Sequence, residues 1–314
     1  MIYVEILGRM GNQMFSYAFA RHLQKELWRQ RKEKIAFDFS HFSYLTPDWK
    51  NDLLNYKCSS NIVEKKRSYN FLQRIVLKLY FRNRSKLEIA NEENIDNLEN
   101  KWKNILNIFG IYLCSFNYYS FKFKPITKNI LVLGFYESPL FFEDIDSIIR
   151  DEFKPLSYNY SPEIERIIYK IENCNSVCVG VRKGDFESEG NKSFCSVCGK
   201  NYYSRAILRM QEEVPSPYFI FFTDDNEWVN SNIEIPQDAL VIDDVNLKLA
   251  NYDKLYIMSK CKNFIISNST FEWWAQHLSE NSDKVVIAPA KWRDITPHTH
   301  TGIYEKNWII VPTE

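Results

Sequence analysis

Several features that would mark common protein classes are missing from this sequence. Its 40 basic and 40 acidic residues cancel, so the charge gives no reason to expect nucleic acid as a partner. No run of 18 or more apolar residues occurs, and we therefore expect no transmembrane helix. The first apolar run, Met1–Leu7, is too short for a signal peptide and includes Glu5. Together these absences predict a cytoplasmic protein.

Motifs for several kinds of catalytic and cofactor site are also missing. The sequence has no G-x-x-x-x-G-K-[ST] loop, which argues against a nucleotide hydrolase or kinase. The stretch Gly8–Met14 is not G-x-G-x-x-G, so a dinucleotide fingerprint is not met. The five histidines suggest no Ser-His-Asp or Cys-His arrangement.

The cysteines do not form a recognisable metal site. They number seven, and several lie in apolar runs, which is typical of reduced, buried thiols. Cys195 and Cys198 have the spacing of half a zinc knuckle, whereas Cys174 and Cys178 are separated by three residues instead of two. Because a complete site needs a second pair or suitably spaced histidines, we predict no zinc site.

The character of the chain changes near residues 155–162, which are rich in Ser, Pro, Tyr and Asn. Beyond this stretch, apolar runs such as Val177–Val181 and Tyr218–Phe222 alternate with amphipathic segments. This alternation predicts an α/β fold with a doubly wound parallel sheet. With 314 residues, the chain is long enough for two domains, which we place at 1–155 and 156–314.

Three predicted strand ends in the second domain carry charged or polar residues. These are Arg182-Lys-Gly-Asp185, Thr223-Asp-Asp225 and Ser267-Asn-Ser-Thr-Phe271. Because parallel strands end at one edge of a sheet, the three segments should lie together. Two cations beside a hydroxyl-rich helix start predict a diphosphate site. The alternatives are that the cations belong to a solvated turn and that Ser269 only caps a helix.

The pairs Asp224-Asp225 and Asp243-Asp244 could instead bind a divalent ion. Adjacent residues on an extended strand point to opposite faces, however, and the residues from Thr223 onward resemble a helix cap. We therefore favour capping, with the cations replacing a metal ion in neutralising the diphosphate. No metal ligand is predicted.

A further ligand-facing turn is predicted near the N-terminus. A strand over Ile2–Leu7 is followed by Gly8-Arg-Met-Gly-Asn-Gln-Met14 and a helix expected over Phe15–Gln30. Such a turn directs backbone N–H groups towards a ligand, and the amides of Asn12 and Gln13 can bind a sugar hydroxyl or a phosphate. The alternative is that the two glycines only permit a tight turn.

The segment 65–86 contains many Lys and Arg residues and no Asp or Glu. Its apolar residues have the spacing of an amphipathic helix. Such a helix can make a peripheral contact with an anionic membrane surface. The alternative is an ordinary solvated helix face.

Four segments, in order along the chain, resemble motifs of one enzyme family. Gly8–Phe15 resembles Gly-x-x-Gly-Asn-Gln-Met-Phe, and Gly134–Ser138 resembles Gly-Tyr-x-Gln-Ser. Gly180–Asp185 stands where the family has His-x-Arg-Arg-Gly-Asp, and Ser267–Trp274 is similar to Ser-Asn-Ser-Thr-Phe-x-Trp-Trp. The family that these motifs resemble is that of the α-1,2-fucosyltransferases, glycosyltransferase family 11.

The resemblance implies a GT-B-like fold, with two Rossmann-type domains facing a cleft. It also implies an inverting, metal-independent transfer of L-fucose from GDP-fucose to the 2-hydroxyl of a galactoside in a surface glycan. GDP-fucose would be a substrate, and no cofactor is implied. The N-terminal domain would be the acceptor side, with an aromatic and basic insertion over 40–125. The enzyme would be cytoplasmic, with a peripheral position at the inner face of the membrane as one option.

The resemblance also implies roles for individual residues. Arg182 would bind the β-phosphate and support the departure of GDP, Asp253 would bind the guanine edge, and Asn12 would contact the sugar-phosphate. Asp185, Glu187 and Glu189 are candidates for the general base, and Asp185 could instead brace Arg182. The predicted catalytic residues are Arg182, Asp185 and Asn12, and the predicted donor-binding residues are Gly11, Gln13, Lys183, Asp253, Asn268, Ser269, Thr270 and Phe271.

Two residues depart from the family pattern. Gly180 replaces the histidine, which removes an imidazole that could recognise the nucleotide, and Lys183 replaces the second arginine. Lysine keeps the charge but lacks the two-pronged geometry of a guanidinium. Two alternatives therefore remain open: transfer from another nucleotide sugar, and a nucleotide-sugar- or glycan-binding protein with impaired catalysis.

Overall fold

The structure is a computed structural model, and it describes residues 1–27, 34–40, 50–88, 91–121, 124–184, 196–244, 246–293, 296–297 and 302–314. The chain forms two compact units. Unit 1 comprises Met1–Lys154 together with Gly302 and Ile303, and unit 2 comprises the other described residues from Pro155 onward. Each unit is built on its own parallel sheet, so the predicted α/β fold with two Rossmann-type units is confirmed.

Unit 1 has a five-stranded sheet flanked by helices. Its elements, in chain order, are β1 (Ile2–Glu5), α1 (Met10–Leu27), β2 (Ile35–Asp38), β3 (Ile62–Glu64), α2 (Phe71–Arg84), α3 (Glu92–Ile108), β4 (Ile111–Cys114), β5 (Ile130–Gly134) and α4 (Asp146–Glu152). The strands lie in the order β3-β2-β1-β5-β4, and every pair is parallel. The central strand β1 is therefore hydrogen-bonded on both sides, which explains why its apolar residues are buried.

Helix α1 begins at Met10, so the predicted start at Phe15 is wrong. Asn12 and Gln13 lie in the first helical turn instead of the preceding loop. The buried side chain of Gln13 donates to the Lys50 carbonyl (2.9 Å) and accepts from the Asp52 N–H (2.9 Å). These bonds to a distant loop stabilise a helical start that glycine and amide residues do not favour locally.

The basic segment 65–86 contains a helix, α2, as predicted. It opens with a capping box, in which the Asn70 side chain accepts from the Gln73 N–H and the Gln73 side chain accepts from the Asn70 N–H. Such reciprocal bonds satisfy backbone donors that the first turn leaves free. Val76, Leu77 and Tyr80 face inward and pack on the sheet of unit 1.

Unit 2 has a six-stranded sheet, also parallel. Its elements, in chain order, are α5 (Pro162–Glu172), β6 (Ser176–Val181), α6 (Lys200–Glu213), β7 (Tyr218–Thr223), α7 (Asn226–Asn232), β8 (Leu240–Ile242), α8 (Asn251–Ser259), β9 (Asn263–Ile265), α9 (Thr270–Leu278), β10 (Val286–Pro289), β11 (Lys291–Arg293), β12 (Thr296–Pro297) and β13 (Ile309–Val311). The sheet order is β13-β10-β9-β6-β7-β8, and β11 and β12 form a separate antiparallel pair.

The core of unit 2 explains why β6 and β7 are continuous apolar runs. Both are central strands that are covered on each face, so alternation of polar and apolar residues is not expected. Val179 and Phe221 are fully buried and pack with Tyr202 and Met210 of α6. In the part of the chain that the structure describes, no helix has the length and apolar character needed to cross a membrane.

Candidate functional site

The candidate site lies at the carboxyl ends of three adjacent strands of unit 2. β6 lies between β9 on one side and β7 on the other. From β6 the chain adds β7 and β8 outward in one direction, and it then returns to place β9 on the opposite side of β6. The reversal makes the gap between β6 and β9 a topological switch point. Ligands of open α/β sheets bind in the crevice at such a point.

Arg182 follows β6 at this switch point and is held by Asp224. The Arg182 Nη1 lies 2.6 Å from the Asp224 Oδ2, and the Lys183 N–H donates to the Asp224 Oδ1 (2.8 Å). A Cβ atom on Gly184 would lie 2.7 Å from the same Oδ2, so glycine is what allows Asp224 to approach. The Arg182 side chain is 23% exposed, and its guanidinium is both oriented by the aspartate and accessible to solvent.

Lys183 takes a different position from its neighbour. Its residue is only 3% exposed, and its Nζ lies 4.3 Å from the centre of the Trp228 ring. A buried ammonium over an indole is stabilised by a cation–π interaction. Lys183 therefore contributes its positive charge from beneath the surface of the site, and Arg182 is the more accessible cation of the predicted pair.

The turn between β9 and α9 is organised by Glu272. This residue stands at the unspecified position x of the motif Ser-Asn-Ser-Thr-Phe-x-Trp-Trp. Its carboxylate accepts hydrogen bonds from the Ser267 N–H (2.5 Å) and the Ser267 hydroxyl (3.0 Å). Glu272 also fills the space beside Gly180, because a Cβ atom on Gly180 would lie 2.1 Å from the Glu272 Cδ. The departure from histidine at residue 180 thus makes room for a buried carboxyl group from another element.

Burial raises the pKa of Glu272 to about 7, while its hydrogen bonds with Ser267 and the charge of Arg182 act in the opposite direction. Desolvation disfavours the charged form of a carboxyl group, which explains the sign of the shift. A buried acid with such a pKa is common at functional sites but also occurs in structural networks. A lone charged residue within an otherwise hydroxyl-bearing and aromatic segment is the sequence signal that could have identified Glu272.

The remaining predicted residues of this turn lie at the start of α9. Ser269 occupies the N-cap position, yet its side chain forms no capping hydrogen bond with the described residues. Its role as a plain helix cap is therefore not supported. Asn268 is buried and accepts a weak hydrogen bond from the Cys198 thiol (3.6 Å). Thr270 and Phe271 are partly exposed in the first turn, where helix dipole and N–H groups favour anions.

The aspartates after β7 have separate structural roles. Asp225 is the N-cap of α7, and its carboxylate accepts from the Trp228 N–H (2.8 Å). The capping interpretation is confirmed for Asp225, whereas Asp224 pairs with Arg182 instead. Among the described residues, no group of three or more His, Cys, Asp and Glu side chains has the arrangement of a metal site.

A third cation, Lys254, lies between the ends of β7 and β8, and the sequence analysis predicts no role for it. Its Nζ donates to the Thr223 carbonyl (3.1 Å) and pairs with Asp244 (2.5 Å). The adjacent residue, Asp253, lies in the first turn of α8, where burial raises its pKa. Lys254 therefore ties three successive segments of the site edge together and fixes the turn that presents Asp253.

The predicted residues of unit 1 have the following positions. Gly11 and Gln13 are buried in the first turn of α1, and Gln13 uses its amide for the bonds to Lys50 and Asp52 described above. Asn12 is partly exposed. A Cβ atom on Gly8 would collide with the Asn12 side chain, so Gly8 allows that amide to fold back over the end of β1.

The predicted acid–base residues follow β6 directly in the sequence. Asp185, Glu187 and Glu189 lie outside the described residues. Cys195, one half of the potential zinc knuckle, also lies outside them. The assignment of the general base therefore stays a prediction.

The edge of unit 2 can bind an anionic group. An oriented guanidinium, a helix N-terminus with hydroxyl side chains and a buried lysine all favour negative charge at one place. These groups occupy the switch point of a parallel sheet, an arrangement that is typical of proteins that bind nucleotide phosphates.

The chain belongs to Glycosyl transferase family 11, because the model of that family matches residues 1–312. It is thus a glycosyltransferase that acts on glycans, and the predicted family membership is confirmed. The two Rossmann-type units are consistent with the GT-B-like fold that the resemblance implies.

Three relatives and one solved structure show what the chain is similar to. The O-antigen biosynthesis glycosyltransferase WbnK of Escherichia coli is 28% identical over 310 residues, covering 93% of this chain and 94% of the relative. An α-1,2-colitosyltransferase of E. coli is 29% identical over 179 residues (55% and 60%). A galactoside 2-α-L-fucosyltransferase of Caenorhabditis elegans is 26% identical over 185 residues (55% and 49%). The fucosyltransferase NodZ from Bradyrhizobium superposes with a TM-score of 0.49 at 12% identity, covering 88% of this chain and 91% of that one.

Proposed function

We propose that this chain is an inverting glycosyltransferase that moves L-fucose from GDP-fucose to the 2-hydroxyl of a galactoside in a surface glycan such as an O-antigen. The main structural support is the oriented Arg182 guanidinium at the switch point beside the Ser267–Phe271 turn. Two relatives support the finer assignment. One is named for O-antigen biosynthesis and covers almost the whole chain, and the other is named a galactoside 2-α-L-fucosyltransferase.

In the proposed reaction, the acceptor oxygen attacks the anomeric carbon from the face opposite the leaving GDP. The bond to the β-phosphate oxygen breaks through an oxocarbenium-like state, so the configuration inverts and negative charge grows on the diphosphate. Arg182 stabilises that charge because its orientation is fixed in advance by Asp224. The acceptor hydroxyl loses its proton to a general base, for which Asp185 is the first candidate.

Metal independence is part of the proposal. Arg182 is exposed enough to touch the diphosphate, Lys183 adds charge from below, and the start of α9 supplies N–H and hydroxyl donors. Together these groups can neutralise the leaving group as a divalent ion does in other transferases. Asp253 at the start of α8 is proposed to accept hydrogen bonds from guanine, and Asn12 to bind the sugar-phosphate.

A second candidate reaction uses a different activated deoxyhexose, such as colitose. Two observations favour it. Gly180 and Lys183 depart from the family pattern beside the donor site, where Glu272 fills the space next to residue 180. In addition, one relative is named an α-1,2-colitosyltransferase. The same mechanism and the same residues would then act on a different sugar.

The function is tested by a screen of purified chain against GDP-fucose, GDP-colitose, GDP-mannose and UDP-galactose, with galactosides as acceptors. Released nucleotide and product linkage are measured with and without EDTA. We expect α-1,2-linked product from GDP-fucose, at a rate that EDTA leaves within about twofold, since no metal takes part in the step. Product from GDP-colitose alone would establish the second candidate. If none of the donors is turned over or bound, the proposal fails.

A further inference from the structure

We propose that the outward face of α2 is a docking surface for an anionic lipid bilayer. The proposal goes beyond glycosyl transfer, and it concerns unit 1 alone. It rests on which side chains of the basic segment 65–86 are exposed and which are buried in the structure. The helix runs over Phe71–Arg84 and is about 20 Å long at 1.5 Å per residue.

An apolar stripe runs along the exposed side of α2. It consists of Phe71, Ile75 and Leu79, which are spaced four residues apart and therefore lie on one side of the helix. All three are exposed, and Phe71 is 76% exposed. Leu72 flanks this stripe and is also exposed. Single exposed apolar residues are common on protein surfaces, whereas contiguous ones usually mark a binding site. This stripe therefore indicates a binding surface.

A basic stripe runs beside the apolar one. It consists of Arg74, Lys78 and Arg82, which are also spaced four residues apart and are all exposed. The whole segment 65–86 has no acidic residue, so these cations have no carboxylate on their own helix. Like charges at this spacing destabilise a helix, and an anionic surface would remove that repulsion.

Two other basic residues of the segment 65–86 interact with residues of unit 1. Arg67 forms salt bridges with Glu5 and with Asp38 (3.1 Å). Arg84 lies at the inner side of the helix, near the hydroxyl of Tyr80. The structure thus separates cations that hold unit 1 together from cations that face outward, a distinction that the sequence does not show.

A bilayer is the partner that fits both stripes at once. An interfacial helix inserts apolar side chains between lipid headgroups, while adjacent Lys and Arg side chains bind the anionic headgroups themselves. Nucleic acid or an acidic protein would match the basic stripe but would leave Phe71, Ile75 and Leu79 in water. The opposite face, with Val76, Leu77 and Tyr80, is already packed in the core, so the helix can lie flat on a surface without leaving its unit.

The test is flotation of the full chain with vesicles of phosphatidylcholine alone or mixed with phosphatidylglycerol. We expect binding only to the anionic vesicles, and weaker binding as salt is raised. The triple variant Arg74→Gln, Lys78→Gln, Arg82→Gln should bind about 100-fold more weakly, because each cation near an anionic surface contributes about fivefold. The double variant Phe71→Gln, Leu79→Gln should lose about tenfold, because apolar insertion is reduced.

The control is Arg166→Gln, Lys200→Gln, Lys306→Gln, which removes the same charge from exposed positions of unit 2. It should bind like the wild type, and all variants should keep their transfer rate with a water-soluble acceptor. Equal binding to neutral and anionic vesicles would overturn the proposal. So would equal losses in the two triple variants, or binding to polyglutamate as tight as binding to vesicles, which would point to an acidic protein instead.

Discussion

Gly180 is the residue at which the space within the site is most tightly constrained. It is the penultimate residue of β6, and Glu272 occupies the volume where any side chain would begin. The hydroxyl of Tyr203 donates to the Gly180 carbonyl (3.1 Å), so the backbone is also fixed from the other side. Neither the strand nor the helix can shift without disturbing Arg182 or Ser267.

We predict that Gly180→Ala lowers the free energy of unfolding by about 1–3 kcal/mol, the usual effect of overpacking a core. Gly199→Ala is the matched control, because a Cβ atom there meets nothing within 4 Å. Denaturant unfolding measures both variants. Glu272→Ser should recover part of the loss in the double variant. A Gly180→Ala variant as stable as Gly199→Ala would show that Glu272 can move aside.

The sequence showed that Gly180 departs from the histidine of the family motif. It did not show that Glu272 fills the space beside residue 180. The compensating carboxyl group comes from α9, which is remote along the chain, and a single sequence contains no sign of that pairing. The environment of Lys183 likewise could not be predicted from the sequence. Its charge was visible in the motif, but its burial over Trp228 depends on how α7 packs on β6 and β7. Arg182 was easier to identify, because a cation directly after a buried strand is a local pattern.

At the scale of elements, the β9–α9 turn depends on one buried acid. Glu272 is anchored by Ser267, and the pKa of about 7 means that the folded protein keeps it protonated to a higher pH than the unfolded chain does. A raised folded-state pKa contributes stability that is complete below the unfolded value, near pH 4.5, and that is lost as pH rises through about 7.

We predict that the free energy of unfolding of wild type falls between about pH 5 and pH 7 more steeply than that of Glu272→Gln. The difference in slope should approach about 1.4 kcal/mol per pH unit, the value for one proton. Urea unfolding at several pH values measures it. Glu305→Gln is the comparison variant, because burial would raise the pKa of Glu305 but the interactions with His277 and Gln276 outweigh it and hold that pKa below its usual value. Parallel curves for wild type and Glu272→Gln would contradict the prediction.

Elements were predictable where burial on both faces produced long apolar runs. The strands β6 and β7 were identified for this reason, and the helix predicted to start within Ser267–Phe271 is observed as α9. In contrast, α3 and β4 were missed, because polar and aromatic residues over 40–125 obscure the periodicity. The start of α1 was misplaced since tertiary hydrogen bonds of Gln13 override the weak local preference.

In the whole molecule, the groups that favour a diphosphate lie together at one edge of the sheet of unit 2. The parallel sheet of unit 2 followed from the apolar runs that alternate with amphipathic segments beyond residues 155–162. The site edge followed from the rule that parallel strands end together. The identity of the sugar did not follow, because groups that bind a diphosphate do not determine which sugar is attached to it.

Arg182 is proposed to stabilise the leaving diphosphate in the transition state. The most direct test compares kcat for GDP-fucose, or for the donor found active in the screen, between wild type and Arg182→Ala. Arg166→Ala is the control, because Arg166 is an exposed arginine of α5, a helix that carries no predicted site residue. We predict a loss of about 100-fold or more with unchanged unfolding, as is usual when a preorganised transition-state contact is removed. A folded Arg182→Ala variant that keeps near wild-type turnover would contradict this role of Arg182.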